Sequence, residues 1–400
     1  MRNEQGQLAL AAARAHESTI VGFLRDLIAI PAESRSEGDR CDRVREQYEA
    51  LGFDEVFFDR LGTVVARIGN GPFKILMDGH VDCVGVGDRQ AWEHDPFAGK
   101  LENGRIWGRG AVDELPAIAC MAYGAHLLAE RGMPEEVTLY LTASVMEEDC
   151  DGLCMLHLVE KEGIRPDVVV LGEPTDLDVY RGHRGRMEAT ITVRGVSAHA
   201  AHAEHGVNAL YKAARIIDDI ADLDPWLPTD SFLGKGSAVV THLECTTPSL
   251  NAVPDLATIY IDRRLTAGET LAGALAELQN LPNLRDAEVE LLDYNATSWR
   301  GVTASQEKYF PAWVLDKDHP LVTGVVNAAS TVLGAPPAVS RWSFSTNGTA
   351  TMGRLGIPTV GFAPGREELA HTTGEWVAVD DLVKATAVYS LIPDMLRDLY

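Results

Sequence analysis

Positive charge is scarce in this sequence. Lys and Arg total 35 against 59 Asp and Glu, for a formal net charge of -24 and a pI near 4.8. A field of that sign repels phosphate backbones and anionic headgroups, so neither nucleic acid nor a membrane surface is expected as a partner. The same surplus of carboxylates is compatible with divalent cations. Cysteine is sparse as well: Cys41, Cys83, Cys120, Cys150, Cys154 and Cys245 form no C-x-x-C pair and read as free thiols of a reducing cytoplasm. Cys150 and Cys154, one helical turn apart, read as packing residues rather than a metal pair. No apolar run approaches the length of a membrane span, and the patch Leu8 to Ala13 is broken by Arg14 before it can serve as the apolar region of a signal peptide. Internal repeats and low-complexity tracts are missing too. Gly85-Val86-Gly87 has no third glycine at the required spacing and leads into Trp92-Glu93 rather than a helix, which removes a dinucleotide-binding reading.

What is present is an ordinary globular composition, 46% hydrophobic and 7% aromatic over 400 residues, long enough for two domains. Helical periodicity runs over Glu17 to Ile30 and Arg40 to Leu51, followed by strands near Val56 to Phe58, Thr63 to Ile68 and Phe73 to Gly79. Leu115 to Arg131 is apolar nearly all round, the mark of an interior helix, with Pro116 in its first turn and Gly132 after its last. A strand Val137 to Val145, a helix Asp151 to Lys161 and a buried strand Val168 to Leu171 complete an alternation that predicts an α/β sheet, mostly parallel, with helices on both faces.

The texture then changes. Met187, Ala189, Ile191 and Val193 alternate with polar residues, as in a strand with one face in water. A helix Asn208 to Leu223, strands Ser237 to Glu244 and Ala257 to Arg264, a helix Thr270 to Leu278 and a strand Glu288 to Tyr294 follow. The order β-α-β-β-α-β predicts a ferredoxin-like unit over 182–295, inserted into a domain made of 1–181 and 296–400. The first texture returns with helices Pro320 to Leu333 and Asn347 to Leu355, a strand Thr359 to Phe362 and a terminal helix from Val379 interrupted at Pro393.

Chemistry gathers at predicted strand ends. The apolar run Ile75-Leu76-Met77 breaks into Asp78-Gly79-His80-Val81-Asp82, and a loop framed by Gly108 and Gly110 returns with Asp113. Glu147-Glu148 follow one buried strand, Glu173 another, and His371 follows Thr359 to Phe362 through Pro364-Gly365. Strand C-termini of an open α/β sheet converge on one edge, so these groups can meet. Two His and three carboxylates suit two divalent ions, zinc or cobalt, with short, glycine-framed Asp113 as the shared ligand. Asp82 is expected to orient His80 through the other ring nitrogen. Neighbouring side chains diverge, so Glu148 is assigned as a ligand and Glu147 as the base that takes a proton from the water between the ions.

The set His80-Val81-Asp82, Trp92 through Phe97, Gly108 through Asp113, Glu147-Glu148, Gly172-Glu173-Pro174-Thr175 and Ala370-His371 resembles the dinuclear zinc peptidase and aminoacylase family, which includes aminoacylase, succinyl-diaminopimelate desuccinylase and glutamate carboxypeptidases. Within it the stretches 147–153, 180–186 and Ser345-Thr346-Asn347-Gly348 are similar to the selenium-metabolism-linked hydrolases. The resemblance implies one ion, zinc with cobalt or manganese as variants, on His80, Asp113 and Glu173, and a second on Asp113, Glu148 and His371. It makes the inserted unit a lid and a homodimerisation surface, and His199 a lid residue that reaches the partner's site and stabilises the oxyanion. Asn251 and Arg264 would meet the substrate carboxylate, and Asn347 joins them as a substrate-side residue.

Two departures from the family pattern stand out. Glu114-Leu115-Pro116-Ala117 follows Asp113 where a Met or Asn, a Lys and a Gly pair are usual, and Ala203 replaces a proline after the lid histidine. Glu114 adds negative charge beside the shared aspartate, which would retune metal preference or select a cationic substrate group. The activity expected is hydrolysis of an N-acyl or N-carbamoyl amino acid. The rivals are a dipeptidase or carboxypeptidase acting on short peptides and, from another class, a catalytically silent metal- or ligand-binding protein.

Overall fold

The computed structural model describes residues 2–397. Its organising element is the strand Phe73–His80, whose six C-terminal residues are all buried. That strand pairs in parallel with Val137–Ser144 on one side and Val168–Leu171 on the other, and Thr359–Gly361 continues the parallel set. The described residues extend these four strands into a nine-stranded sheet with antiparallel edges. Glu55–Phe58 and Val64–Gly69 close one side; Val179–His183, flanked by Trp313–Val314 and Val339–Trp342, closes the other. The four central strands are buried along most of their length, as strands covered on both faces are.

Register places the ends of these strands level. His80 lies beside Ser144, Asp78 beside Leu171, and Leu171 beside Gly361. Whatever follows each strand therefore emerges at one edge.

The helix Leu115–Arg131 is buried over most of its length and packs on the strand Phe73–His80 and on the terminal helix Val379–Arg397. That terminal helix runs on through Pro393 instead of stopping there. Proline in a helix interior removes one backbone hydrogen bond; here the buried face of Leu391, Ile392 and Leu396 holds the last turns in place. A helix Arg2–Ala15, which periodicity did not single out, lies against the terminal helix and the helix Pro320–Leu333. Its alanines favour helix but give a weak apolar stripe. The helix expected over Asn347 to Leu355 is a single π-helical turn, Thr349–Arg354.

A second hydrophobic core forms separately around Met187, Ile191, Ile216, Ile259 and Leu278. Its sheet runs in the order Ser237–Thr246, Leu256–Leu265, Gly185–Arg194, Glu288–Leu291, antiparallel throughout, with the helices Ala209–Leu223 and Leu271–Gln279 packed against it. This is the ferredoxin-like order. The chain enters this unit at Arg184, between strands that belong to different sheets, and returns where Tyr309–Phe310 pairs with Gly185–Arg194. Among the described residues no helix is long and apolar enough to cross a membrane.

Candidate metal centre

At the level strand ends, His80 is fixed first. Its Nδ1 lies 2.9 Å from the backbone carbonyl of Asp82, and a carbonyl only accepts, so Nδ1 carries a proton and Nε2 is the nitrogen turned to Asp113 and the cavity. The orienting group is thus the main chain of Asp82. Its carboxylate, expected from the sequence to do this, is 3.6 Å from the ring and is occupied elsewhere. It accepts from Ser34 Oγ at 2.6 Å and from the backbone N–H groups of Glu147 and Glu148 at 3.2 and 3.1 Å. Asp82 therefore ties the strand end carrying His80 to the turn carrying the paired glutamates.

Asp113 is buried between the two imidazoles: Oδ1 is 3.0 Å from His80 Nε2 and Oδ2 is 3.1 Å from His371 Nε2. His371, at φ 61°, also lies 3.1 Å from Glu148 Oε2, and Glu148 Oε1 accepts Val84 N–H at 3.2 Å. Burial opposes ionisation of Asp113, but the bonds from His371 and His80 overcome it and hold its carboxyl well below the usual range. The same contacts with Asp113 and Glu148 raise His371 to about 10. Glu173 Oε1 and Glu147 Oε2 are each 4.0 Å from His80 Nε2. Burial and neighbouring carboxylates raise both glutamates well above the ordinary value, Asp151 being the foremost neighbour for Glu147 and Glu114 for Glu173.

The donor set fits divalent cations. Donors of two sets, His80–Asp113–Glu148 and His80–Glu114–Glu173, lie within 4.8 Å of one another in each set. The separations of 3.0 and 3.1 Å around Asp113 match the roughly 3.0–3.5 Å between two ligand atoms that share one ion at about 2.0–2.1 Å. Buried Glu147 Oε1 and Glu114 Oε2 have no hydrogen-bond partner, which is the state of a pocket whose counter-charge is a cation.

His80, Asp113, Glu147, Glu148, Glu173 and His371 open into a cavity of about 420 Å³, lined also by Asp151, Arg186, Arg264 and Ser345. A roomier hollow of about 850 Å³, bordered by Arg60, His157 and Arg354, lies away from these donors. Arg264 is paired with Asp262 at 2.7 Å and stands directly across the sheet from Arg186, which is paired with Asp151 at 3.1 Å. Two like charges opposite each other are unfavourable unless something anionic lies between or beside them.

Other expected site residues stand apart. Asn347 is a correction: it is 2% exposed, its Nδ2 donates to Asp78 at 2.8 Å and its Oδ1 accepts from Gly152 N–H at 2.8 Å, so its amide is spent in the core. His199 and Asn251 are exposed neighbours in the second unit, where Ala200 N–H donates to the Asn251 carbonyl at 2.8 Å, and neither lines the cavity of its own chain. Missed by the sequence reading were Asp151 and Arg186, although both lie inside stretches that carried the family resemblance. Glu375 was also missed; it braces the loop before Asp113 and has no local signal.

The model of peptidase family M20/M25/M40 matches residues 76–394. Across 98% of both chains the sequence is 43% identical to the uncharacterized protein YgeY of Escherichia coli K12. It is 32% identical to a succinyl-diaminopimelate desuccinylase of Cereibacter sphaeroides over 64% of this chain and 71% of that one. The fold is shared with aminopeptidase PepT of Bacillus cereus at a TM-score of 0.73 and 20% identity, over 95% of this chain and 99% of that one. The chain belongs to peptidase family M20/M25/M40 and is a metal-dependent hydrolase acting on peptide or amide bonds.

Proposed function

We propose that this protein hydrolyses the amide bond of an N-acyl or N-carbamoyl amino acid with two divalent ions, zinc in the first instance and cobalt or manganese as alternatives. The observation that carries this reading is Asp113 lying between His80 and His371 with the unpartnered Glu147 carboxylate alongside. His80, Asp113 and Glu173 would hold one ion, and Asp113, Glu148 and His371 the other. When bound, such ions polarise the scissile carbonyl and make a water acidic enough to attack near neutral pH.

The chain's own residues do the rest. Glu147, buried and raised in pKa, takes the proton from the attacking water and returns it to the leaving nitrogen. Asp82 keeps His80 and the Glu147–Glu148 turn in fixed relation through its main-chain and side-chain bonds. Arg264, which lines the cavity, meets the substrate carboxylate. The second unit, 182–295, serves as the lid. Among the described residues the strand Ser237–Thr246 pairs on one side only and exposes Val239 and Leu243, an open edge suited to a second copy of the chain. His199 would then enter the partner's cavity and donate to the oxyanion.

A peptidase reading has one observation in its favour: Asp151 and Glu367 line the cavity beside Arg264, so that the ammonium and the carboxylate of a short peptide would both find partners. A screen of N-acyl amino acids, N-carbamoyl amino acids and dipeptides against the zinc- or cobalt-loaded protein, with released amines identified by mass spectrometry, separates the two. Turnover of dipeptides alone would overturn the acyl-amino-acid reading, and no turnover of any class would overturn both.

A further inference from the structure

Beside the shared aspartate stands a carboxylate that the assignment above leaves unused. Glu114 is 1% exposed at the start of the helix Leu115–Arg131. Its Oε1 accepts the backbone N–H of His80 and lies 4.0 Å from His80 Nε2. Its Oε2 is buried with no hydrogen-bond partner. Residue 79 is glycine where a Cβ would come 2.9 Å from Ile118 Cγ1, so the helix carrying Glu114 packs closely on the strand end carrying His80. Donor atoms of His80, Glu114 and Glu173 all lie within 4.8 Å of one another.

A buried carboxylate persists when a positive charge completes it. Among the described residues the cationic partner of Glu114 is His80, at 4.0 Å, and its Nε2 is already 3.0 Å from Asp113. We propose that Glu114 is a further ligand of the ion on the His80 side. This rests on the two-ion reading given above. That position then offers one imidazole and three carboxylates, from Asp113, Glu114 and Glu173, whereas the His371 side offers one imidazole and two. Oxygen-rich sets of higher coordination number suit manganese, while zinc is content with four ligands. The two positions are therefore unequal, and manganese displaces zinc first on the His80 side.

The competing role for Glu114 is that of a positioning residue that only receives the His80 N–H. Glutamine separates the two, because its side-chain carbonyl can still accept that bond but carries no charge. The full-length protein is stripped with chelator and titrated with Mn²⁺ or Zn²⁺ alone, with bound metal counted by elemental analysis and free Mn²⁺ read by electron paramagnetic resonance. Wild type should bind two Mn²⁺. E114Q should bind one of them at least about tenfold more weakly, while still holding two Zn²⁺. Equal Mn²⁺ binding by wild type and E114Q, with loss only in E114A, would reduce Glu114 to a positioning residue. Wild type itself gives a measurement that needs no variant: as Mn²⁺ is raised against a fixed zinc load, one zinc should leave at least about tenfold earlier than the other. Simultaneous departure overturns the inequality. Failure of stripped wild type to bind either metal would overturn the two-ion reading and this inference with it, an outcome distinct from any change confined to E114Q.

Discussion

Glu375 holds Asp113 from behind. Its Oε1 accepts the N–H groups of Val112 at 2.8 Å and Asp113 at 3.1 Å, and its Oε2 receives Arg109 Nη1 at 2.7 Å. Arg109 lies in turn over the Trp92 ring at 5.0 Å, so the loop that returns to the centre is anchored by a buried ion pair and an aromatic face. The side chain of Asp113 is left free to turn one oxygen to each imidazole.

Weakening that brace should weaken the metal centre without removing any ligand. Glu375→Gln is expected to lower metal affinity about 10–100-fold, the usual effect of losing a group that orients a ligand. Glu375→Ala strands Arg109, whose side chain is 4% exposed, and should cost about 3–5 kcal/mol of stability. Calorimetric metal titration and urea unfolding read the two effects separately. Unchanged affinity in the glutamine variant would make Glu375 a purely structural residue.

Glu147, the proposed base, is spared from the shortest contacts of the cluster, its Oε2 lying 4.0 Å from His80 Nε2. Glu147→Gln should lower kcat by about 10²–10⁴-fold, the usual contribution of a positioned acid–base group, while both metal ions remain bound. Near-normal turnover by this variant in a metal-replete assay would remove the base from the mechanism.

Asn347 belongs to the core. Its amide joins Asp78, which also accepts from Thr142 Oγ1 at 2.7 Å, to the N–H of Gly152. Asn347→Ala should destabilise by about 1–3 kcal/mol, the penalty for buried polar groups left without partners. KM of the folded fraction should not move. A selective rise in KM with unchanged stability would restore the substrate-side role expected from the sequence.

Legibility in the sequence followed the distance over which each feature is determined. An apolar run that ends in His80 or leads to Glu173 announces a buried strand and polar chemistry at its end, because both are written within a few residues. A central place for Asp113, between His80 and His371, could be argued from its glycine frame. What fixes these groups was not readable: Glu375 braces a loop more than 260 residues earlier, and Asn347 meets Asp78 only after the sheet has formed. Asp82 shows a finer limit. Its spacing from His80 correctly pairs the two residues, but whether the backbone or the carboxylate makes the bond depends on the Glu147 turn folding against it. The Arg2–Ala15 helix escaped because its periodicity is weak, and it is held by packing on two helices from the other end of the chain.

Glu37 gives a pH dependence away from the metal ligands. It is fully buried, accepts from Arg35 N–H at 2.8 Å and Met146 N–H at 3.1 Å, and is raised from 4.5 to about 7 by burial and then by Asp82. Below pH 4.5 the carboxyl is protonated in both the folded and the unfolded chain. Between there and pH 7 only the folded chain keeps the proton, so its contribution to stability falls as pH rises through that window. Glu37→Gln keeps the acceptor and loses the titration. The variant's stability relative to wild type should therefore improve by up to about 3 kcal/mol from pH 4.5 to pH 7 and then level off, taking about 1.4 kcal/mol per pKa unit. Urea unfolding of both proteins across that range checks it, and a difference that stays flat with pH would count against it.

His199 is the remaining test of how the site is assembled. It is exposed, its Nδ1 accepts Ala201 N–H at 3.0 Å, and this leaves Nε2 to carry the proton and point it outward. No cavity residue of its own chain lies in the segment 199–252. If a second copy receives this donor, His199→Ala and Glu147→Gln damage different halves of a composite site. Each homodimer is then inactive, whereas a mixed dimer holds one intact site made of Glu147 from one subunit and His199 from the other. Random subunit exchange makes about half of the dimers mixed, so the mixture should regain about a quarter of wild-type kcat. Activity that remains at the sum of the two separate variants after exchange has been verified by mass spectrometry would confine each site to a single chain and leave His199 without a part in the reaction.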